Sequence, residues 1–218
     1  AAGLVQALGD ELRRVVGLEA RLVFERIVVL GVGHGPGLEP AVEDLGHPPR
    51  DPAAGIVGVN IGKNKDTSLE DSARDYELAA RAFEDLADYI VINVSSPNTP
   101  GLRSLQTLES LQPIIEAVQR VIGKWVRRPP LLLKLAPEIA GTGLTSLMSG
   151  LEPLGINGWV LTNTLGGKHI DSGGTERPGG WSGGPLVGIS RDRLIEARSS
   201  TRLPIISVGG IMKIGRAS

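Results

Sequence analysis

Cysteine is absent from this chain of 218 residues. Its absence excludes disulfide bonds, thiolate metal sites and every catalytic mechanism that uses a cysteine side chain. Histidine is rare as well, and His34, His47 and His169 lie too far apart in the sequence to predict a metal-binding cluster. We therefore predict no metal site.

Aromatic residues are also scarce, at 3% of the chain, and the formal net charge is only −1. Proteins that bind nucleic acid usually carry a basic surface or aromatic side chains that stack on bases. We therefore expect no nucleic-acid partner. No apolar run approaches the roughly 20 residues that a membrane-spanning helix needs, and the first residues lack the order of a secretion signal. We expect a soluble chain, or one that binds a membrane only peripherally.

Glycine and proline are abundant instead, with 30 and 15 residues, which is typical of a chain with many turns. From residue 55 onward, short β-branched runs alternate with amphipathic stretches. The apolar runs predict buried parallel strands at 56–60, 89–94, 131–135, 158–163 and 204–210. This order fits both an open parallel sheet and a (β/α)₈ barrel.

The stretches between these runs carry apolar side chains at three- or four-residue spacing, which predicts helices. The predicted helices include residues 69–83, 108–122 and 144–154, and a fourth starts at 190–197. Thr67 and Glu70 have the spacing of a capping box at the start of the first helix. Ser190 is the candidate N-cap of the fourth helix.

Residues 1–54 have a different character and are predicted to form a separate N-terminal segment, followed by an α/β unit over 55–218. The segment contains a helical pattern (4–25), a strand that enters a glycine-rich loop (26–37) and a linker (46–55). Its glycines do not keep the GxGxxG spacing of a dinucleotide site, so a flexible turn is the preferred interpretation.

Polar side chains follow the carboxyl end of one predicted strand after another. Because these ends meet at one edge of a parallel α/β sheet, we expect the polar groups to converge on one ligand site. Taken alone, each of them is more typical of a turn. The residues at successive strand ends are Asn60; Asn93, Ser95, Ser96 and Asn98; Lys134; Thr162, Asn163 and Thr164; Gly209 and Gly210.

Six segments in this order and spacing resemble the dihydroorotate dehydrogenase family, and more narrowly its class 2, quinone-reducing form. They are GVNIGKNK, NVSSPNTPGLR, LLLKLAPE, VLTNT, GGWSGGPL and PIISVGG, and the resemblance covers roughly residues 55–211. It implies a (β/α)₈ TIM-type barrel that carries FMN and oxidises dihydroorotate to orotate in pyrimidine (UMP) biosynthesis. It also implies a quinone as the electron acceptor.

The resemblance assigns the catalytic role to Ser96. Class 1 members use a cysteine there and class 2 members a serine, so the lack of cysteine supports the class 2 interpretation. Asn93, Asn98, Asn163 and Thr164 match the residues that bind the pyrimidine. Amides offer both a donor and an acceptor, which suits a ring that alternates C=O and N–H groups.

The resemblance also implies a set of cofactor-binding residues. Lys134 interrupts an apolar strand, and a buried ammonium needs an anionic partner such as the reduced flavin. Glycines allow a backbone to approach a phosphate closely. The residues that match FMN contacts are Asn60, Asn93, Lys134, Thr162, Ser182, Gly183, Gly209 and Gly210.

The resemblance does not extend to the chain ends. Residues 1–54 show neither the lysine-containing glycine-rich loop nor the NRxGF segment of the family, so we expect a barrel without recognisable first and last strands. Two alternatives stay open: a truncated, non-catalytic member unable to hold FMN, and an FMN oxidoreductase acting on another pyrimidine. Class 2 members imply a peripheral position on the inner membrane, on the bacterial cytoplasmic side or in mitochondria. The oligomeric state stays open.

Overall fold

A computed structural model describes residues 27–28, 56–84, 86–170 and 174–211 of the chain. Strands and helices alternate through most of this length. The strands are β1 (Ile27–Val28), β2 (Gly58–Ile61), β3 (Tyr89–Asn93), β4 (Leu131–Leu135), β5 (Gly158–Leu161), β6 (Leu165–Ile170), β7 (Glu176–Trp181) and β8 (Ile205–Ser207). The α-helices are α1 (Ser72–Ala82), α2 (Leu108–Ile122), α3 (Gly141–Leu151) and α4 (Val187–Ser200), and short 3₁₀ turns occupy Leu102–Leu105, Glu152–Leu154 and Gly184–Leu186.

Six strands form one parallel sheet in the order β1-β2-β3-β4-β5-β8 among the described residues. The five strands predicted from apolar runs are all present and lie side by side, which confirms that part of the prediction. The strand predicted within residues 26–37 is present at Ile27–Val28, where it pairs with β2. The predicted boundary between residues 54 and 55 lies outside the described residues and stays a prediction.

The two faces of the sheet are covered differently. Side chains of β2–β5 that alternate along each strand pack with residues from all four helices in one large core. The opposite face carries a small apolar cluster built from strand residues alone: Val91, Leu132 and Val160, with Tyr89 and Ile206 against them. A doubly wound open sheet would have helices on both faces, whereas a barrel keeps them all outside. The fold is therefore of the (β/α)₈ barrel type, with the strand-only face as the barrel interior.

The helices follow the predicted apolar spacing, although two predicted caps are wrong. Helix α1 begins at Ser72 with Asp71 as its N-cap, so Thr67 and Glu70 form no capping box. Helix α4 begins at Val187, which places Ser190 inside the helix, where it is buried. Within the described ranges, no helix is both long enough and apolar enough to cross a bilayer.

One element was not predicted: an antiparallel hairpin formed by β6 and β7, which follows directly after β5. Its strands, LGGKHI and ERPGGW, are rich in glycine and charge and therefore lack the β-branched signal that marks the sheet strands. Gly180 lies so close to Thr164 that an added Cβ would stand 2.3 Å from Thr164 Oγ1. The hairpin thus packs against the segment that carries the predicted substrate contacts.

Candidate active site

The two-residue period of a strand places three predicted site residues on the barrel interior. Asn60 and Asn93 alternate with residues of the outer core, and Lys134 follows Leu132 of the interior cluster by two positions. Asn93 and Lys134 are direct neighbours in the parallel register of β3 and β4. Asn60 is level with Val91 on the adjoining strand. These side chains therefore surround one region at the carboxyl ends of the strands, as predicted.

Hydrogen bonds join Asn93 to Asn163 through the hydroxyl of Ser95. Ser95 Oγ donates to Asn93 Oδ1 (2.8 Å) and accepts from Asn163 Nδ2 (2.9 Å). The Ser95 backbone N–H also donates to Asn93 Oδ1 (3.1 Å), so that oxygen must be the acceptor end of the amide. Asn93 consequently presents its Nδ2 donors to the site. Ser95 is fully buried, and its bond from Asn163 spans 68 residues of the sequence.

The carbonyl of Asn93 is held from the helix layer. Tyr76 of α1 is buried and donates from its hydroxyl to Asn93 O (2.8 Å). Burial raises the pKa of the Tyr76 hydroxyl above its usual value, so it stays a neutral donor. Asn93 is thus fixed at both its backbone and its side chain.

Ser96 and Asn98 lie in the loop that follows β3. Ser96 Oγ accepts a hydrogen bond from the Asn98 backbone N–H (3.3 Å), which leaves the hydroxyl proton free to point elsewhere. Ser96 is half-buried and Asn98 is exposed. This is the turn-forming contact expected of a serine before Pro97, and it also leaves a hydroxyl beside the barrel mouth.

Lys134 is the positive charge of the site. Burial lowers the pKa of its ammonium from the usual value, since removing a charge from water favours the neutral form. Among the described residues, Lys134 has no hydrogen-bond or ion-pair partner. A lysine held in this way is ready to pair with an anionic ligand.

Asn60 has an unused acceptor. The residue is 6% exposed, and its Oδ1 is buried without a hydrogen-bond partner among the described residues. An orphaned buried carbonyl costs about 1–3 kcal/mol, so this atom is expected to meet a ligand donor. Asn60 and Lys134 together offer an acceptor and a cation to one interior region.

The ends of β5 and β8 meet around Thr162. The Thr162 backbone N–H donates to Val208 O (2.8 Å), and its buried hydroxyl lies 3.4 Å from Ser190 Oγ of α4. Gly209 and Gly210 have φ values of 106° and 69°, in the left-handed region that favours glycine. A Cβ on Gly210 would stand 2.6 Å from the backbone nitrogen of Val187. The backbone therefore passes close to the start of α4 here.

Ser182 and Gly183 lie between β7 and the turn that precedes α4. Gly183 has φ 68° and accepts from the Leu186 N–H (3.0 Å). In the described part of the chain, no recorded hydrogen bond links either residue to the other predicted site residues. Their cofactor role stays a prediction. The described residues also contain no group of three or more potential metal ligands.

Arg103 is a site residue for which the sequence reasoning proposed no role. Its guanidinium donates to Ser95 O (2.9 Å) and to Thr164 O (2.7 Å) and forms an ion pair with Glu138. The available signal was its place in the NVSSPNTPGLR segment. Nothing in local spacing indicates that its partners lie on three different loops.

The donor set fits a flavin and a pyrimidine. It combines the partly buried Lys134, amide donors and acceptors, hydroxyls and glycine turns, all of which match a flat ring with carbonyl groups and a phosphate tail. Two observations favour such a ligand: within the described part of the chain, Asn60 Oδ1 is buried without a hydrogen-bond partner and the partly buried Lys134 has no ion pair. The fold and site thus define a β/α-barrel protein with a heterocycle-binding site at the carboxyl ends of its strands.

Comparison with known proteins supports the same class of protein. The sequence profile of the family described as Dihydroorotate dehydrogenase matches residues 9–215. The chain belongs to the dihydroorotate dehydrogenase family.

Individual relatives agree with this placement. The chain is 42% identical over 164 residues to a dihydroorotate dehydrogenase (quinone) of Arthrobacter sp. (strain FB24), covering 72% of this chain and 46% of the relative. It is 41% identical over 202 residues to that of Thermobifida fusca (strain YX), covering 88% and 53%. A crystal structure of DHODH from Eimeria tenella in complex with ferulenol is similar with TM-score 0.63 and 30% identity, covering 80% of this chain and 51% of that one. The chain spans about half the length of the curated relatives it matches.

Proposed function

We propose that this chain supplies the FMN- and substrate-binding strand ends of a class 2 dihydroorotate dehydrogenase, which oxidises dihydroorotate to orotate and reduces a quinone. The observation that carries the proposal is the network in which Ser95 joins Asn93 to Asn163 beside Lys134. The names of the two bacterial relatives, both dihydroorotate dehydrogenase (quinone), support the choice of reaction and acceptor.

Oxidation of dihydroorotate removes a proton from C5 and a hydride from C6, which leaves the C5=C6 double bond of orotate. Bound FMN would supply the acceptor for this hydride and the route by which two electrons reach the quinone. Ser96 is the group we assign to the C5 proton, because a proton beside a carbonyl needs a positioned base. A neutral hydroxyl is a weak base, so the proton must pass to water. The half-buried position of Ser96 next to exposed Asn98 leaves that route open.

The asparagines hold the pyrimidine ring in this proposal. Asn93 presents Nδ2 donors because its Oδ1 is taken by Ser95, so it would contact a ring carbonyl. Asn163 is held at both ends of its amide, since Oδ1 accepts from the Thr164 N–H (2.8 Å) and Nδ2 donates to Ser95 Oγ. Thr164 and Asn98 complete the proposed set of substrate contacts.

The cofactor contacts divide by chemistry. Lys134 would lie at the negative N1 and C2-carbonyl edge of the reduced flavin, and Asn60 Oδ1 would accept from a ring N–H. The remaining residues would hold the ring, the ribityl chain and the phosphate, partly through backbone N–H groups at glycine turns. They are Asn93, Thr162, Ser182, Gly183, Gly209 and Gly210.

The deciding experiment measures flavin content and its reduction. Purified protein should bind FMN near one equivalent, and anaerobic dihydroorotate should bleach the flavin absorbance, whereas dihydrouracil should not. Ser96→Ala should keep the flavin but slow its reduction, and an unchanged rate would refute the role of Ser96. Lys134→Ala should weaken FMN binding, while Lys124→Ala, at an exposed lysine, serves as the matched control.

The same measurements separate the alternatives. A chain that binds no FMN would favour a non-catalytic family member, and bleaching by dihydrouracil would favour another pyrimidine as substrate. Quinone use is tested by adding a short-chain quinone to the reduced protein, which should restore the flavin absorbance. Peripheral association with the inner membrane belongs to the same proposal. Co-sedimentation with lipid vesicles tests it.

A further inference from the structure

Arg103 contacts three different loops at the barrel mouth through one guanidinium. Its Nε donates to Ser95 O (2.9 Å), in the loop after β3, and its Nη2 donates to Thr164 O (2.7 Å), in the segment between β5 and β6. Its Nη1 is paired with Glu138 Oε1, in the loop after β4. The Arg103 side chain is only 22% exposed, so these bonds are partly shielded from water.

The bond to Ser95 O fixes the direction of the chain at Ser96. Ser95 O belongs to the planar peptide unit that also contains the Ser96 nitrogen and Cα. A donor that holds this oxygen therefore fixes the plane from which the Ser96 side chain projects. The following residue, Pro97, adds a restricted backbone of its own.

The bonds to Thr164 O and Glu138 fix the opposite side of the site. Thr164 follows Asn163 directly, so its carbonyl fixes the end of the segment that carries both proposed substrate contacts. Glu138 Oε1 also accepts from the Gly166 N–H (2.9 Å), which extends the link into strand β6. A Cβ on Gly166 would stand 3.0 Å from Arg103 Nη1, so the guanidinium packs directly against the hairpin.

We propose that Arg103 is a positioning residue that holds the Ser96 loop and the Asn163–Thr164 segment in fixed relation to each other. The planar guanidinium of an arginine holds five donors on three nitrogens in fixed directions, whereas a lysine offers three donors on a single nitrogen at the end of a flexible stem. Its importance for the reaction rests on the proposed function, but its positioning role does not.

Hydrogen exchange of the flavin-free protein tests the positioning role by itself. Arg103→Lys should accelerate exchange about tenfold or more in residues 95–102 and 162–170, since bonds to charged groups stabilise such segments measurably. Arg127→Lys is the matched control, because Arg127 also forms an ion pair, with Asp88 (3.0 Å), but its side chain is half-exposed. Unchanged exchange in both segments would overturn the proposal.

A second variant covers the case in which Arg103→Lys fails to fold. Glu138→Gln keeps the side-chain size but removes the charge that Arg103 and the Gly166 N–H contact. It should accelerate exchange in residues 162–170 more than in residues 95–102, because the Gly166 N–H bond that it weakens lies in the former segment, while Arg103 keeps its bond to Ser95 O. Equal acceleration throughout the chain would instead indicate a general loss of stability and would contradict the proposal.

A double-mutant cycle in the FMN-loaded protein tests the consequence for the reaction. Arg103→Lys alone should slow flavin reduction by dihydroorotate on the order of tenfold to a hundredfold, as expected from misplaced reacting groups. In a Ser96→Ala background the same change should cost clearly less, because one of the two groups that Arg103 positions is gone, and the remaining loss measures its hold on the Asn163–Thr164 segment. Fully additive losses would overturn the idea that Arg103 acts through Ser96. A wild-type protein that dihydroorotate does not bleach would refute the proposed function, whereas the exchange result would stand.

Discussion

Replacing Ser95 by alanine removes the hydroxyl that joins the two central asparagines. Ser95 is fully buried, and its Oγ makes two bonds of 2.8 and 2.9 Å, to Asn93 Oδ1 and from Asn163 Nδ2. Asn93 Oδ1 keeps its bond from the Ser95 N–H, but the described residues offer Asn163 Nδ2 no other partner. The substitution should therefore destabilise the protein even though it deletes one atom.

The size of the effect follows from the bonds that are lost. Each buried hydrogen bond contributes about 0.5–1.5 kcal/mol net to stability. A buried donor left without a partner increases the loss by up to a few kcal/mol if water cannot reach it. Asn163 is half-buried, so water recovers part of that loss. We expect a loss of about 2 kcal/mol in the free energy of unfolding. For a chain of this length that corresponds to a fall in Tm of about 4–8 °C.

Urea and thermal unfolding of the flavin-free protein measure this loss directly. Ser96→Ala is the matched control, because it makes the same chemical change one residue later, where the hydroxyl accepts a single bond at 3.3 Å. It should cost about 0.5 kcal/mol or less. Equal losses in the two variants, or no loss in Ser95→Ala, would refute the reasoning from the network.

Three further predictions concern stability and pH. Lys134→Met should raise the free energy of unfolding of the flavin-free protein at pH 7, because burial disfavours the ammonium in the folded state and lowers its pKa. Between the lowered pKa and the usual 10.5 the unfolded chain binds more protons than the folded protein, so the stability of the wild type rises with pH. The advantage of Lys134→Met should therefore shrink as the pH rises toward 10.5, and an advantage independent of pH would contradict this. Tyr76→Phe should cost about 1 kcal/mol in urea unfolding through loss of the bond to the Asn93 carbonyl, and a neutral effect would show that the bond does not hold the strand end. Gly210→Ala should destabilise by more than about 1 kcal/mol because of its φ of 69° and the nearby α4 backbone. Gly188→Ala, inside α4 with open space around it, should be neutral or stabilising by up to about 1 kcal/mol, and the same sign for both glycines would contradict the conformational argument.

The sheet strands and the residue types of the site were predictable because they depend on short-range patterns. A buried parallel strand is an uninterrupted apolar run, and Asn60, Asn93 and Lys134 stand out because they break that pattern near a strand end. Helix positions also followed from spacing, whereas the starts of α1 and α4 did not. Ser190 satisfies the sequence rule for a cap, yet it is buried against Thr162 because the turn before α4 extends the helix by three residues.

The hairpin and the Arg103 contacts could not be predicted from short-range sequence patterns. The hairpin strands are rich in glycine and charge, so they carry neither of the two periodicities, and close packing of Gly180 on Thr164 is visible only in three dimensions. Arg103 meets Glu138 and Thr164 across 35 and 61 residues of chain. Such pairings depend on how loops that follow different strands pack against one another.

The sequence by itself determined that this protein alternates strands and helices, uses no cysteine, and carries amides, hydroxyls and one lysine at its strand ends. Only the tertiary structure decided that all four described helices cover the same face of the sheet and leave the other as a barrel interior. It also decided which hydroxyl joins Asn93 to Asn163. Periodicity is a property of neighbouring residues, whereas the side of a sheet that a helix covers, and the loops that meet there, depend on contacts between distant parts of the chain.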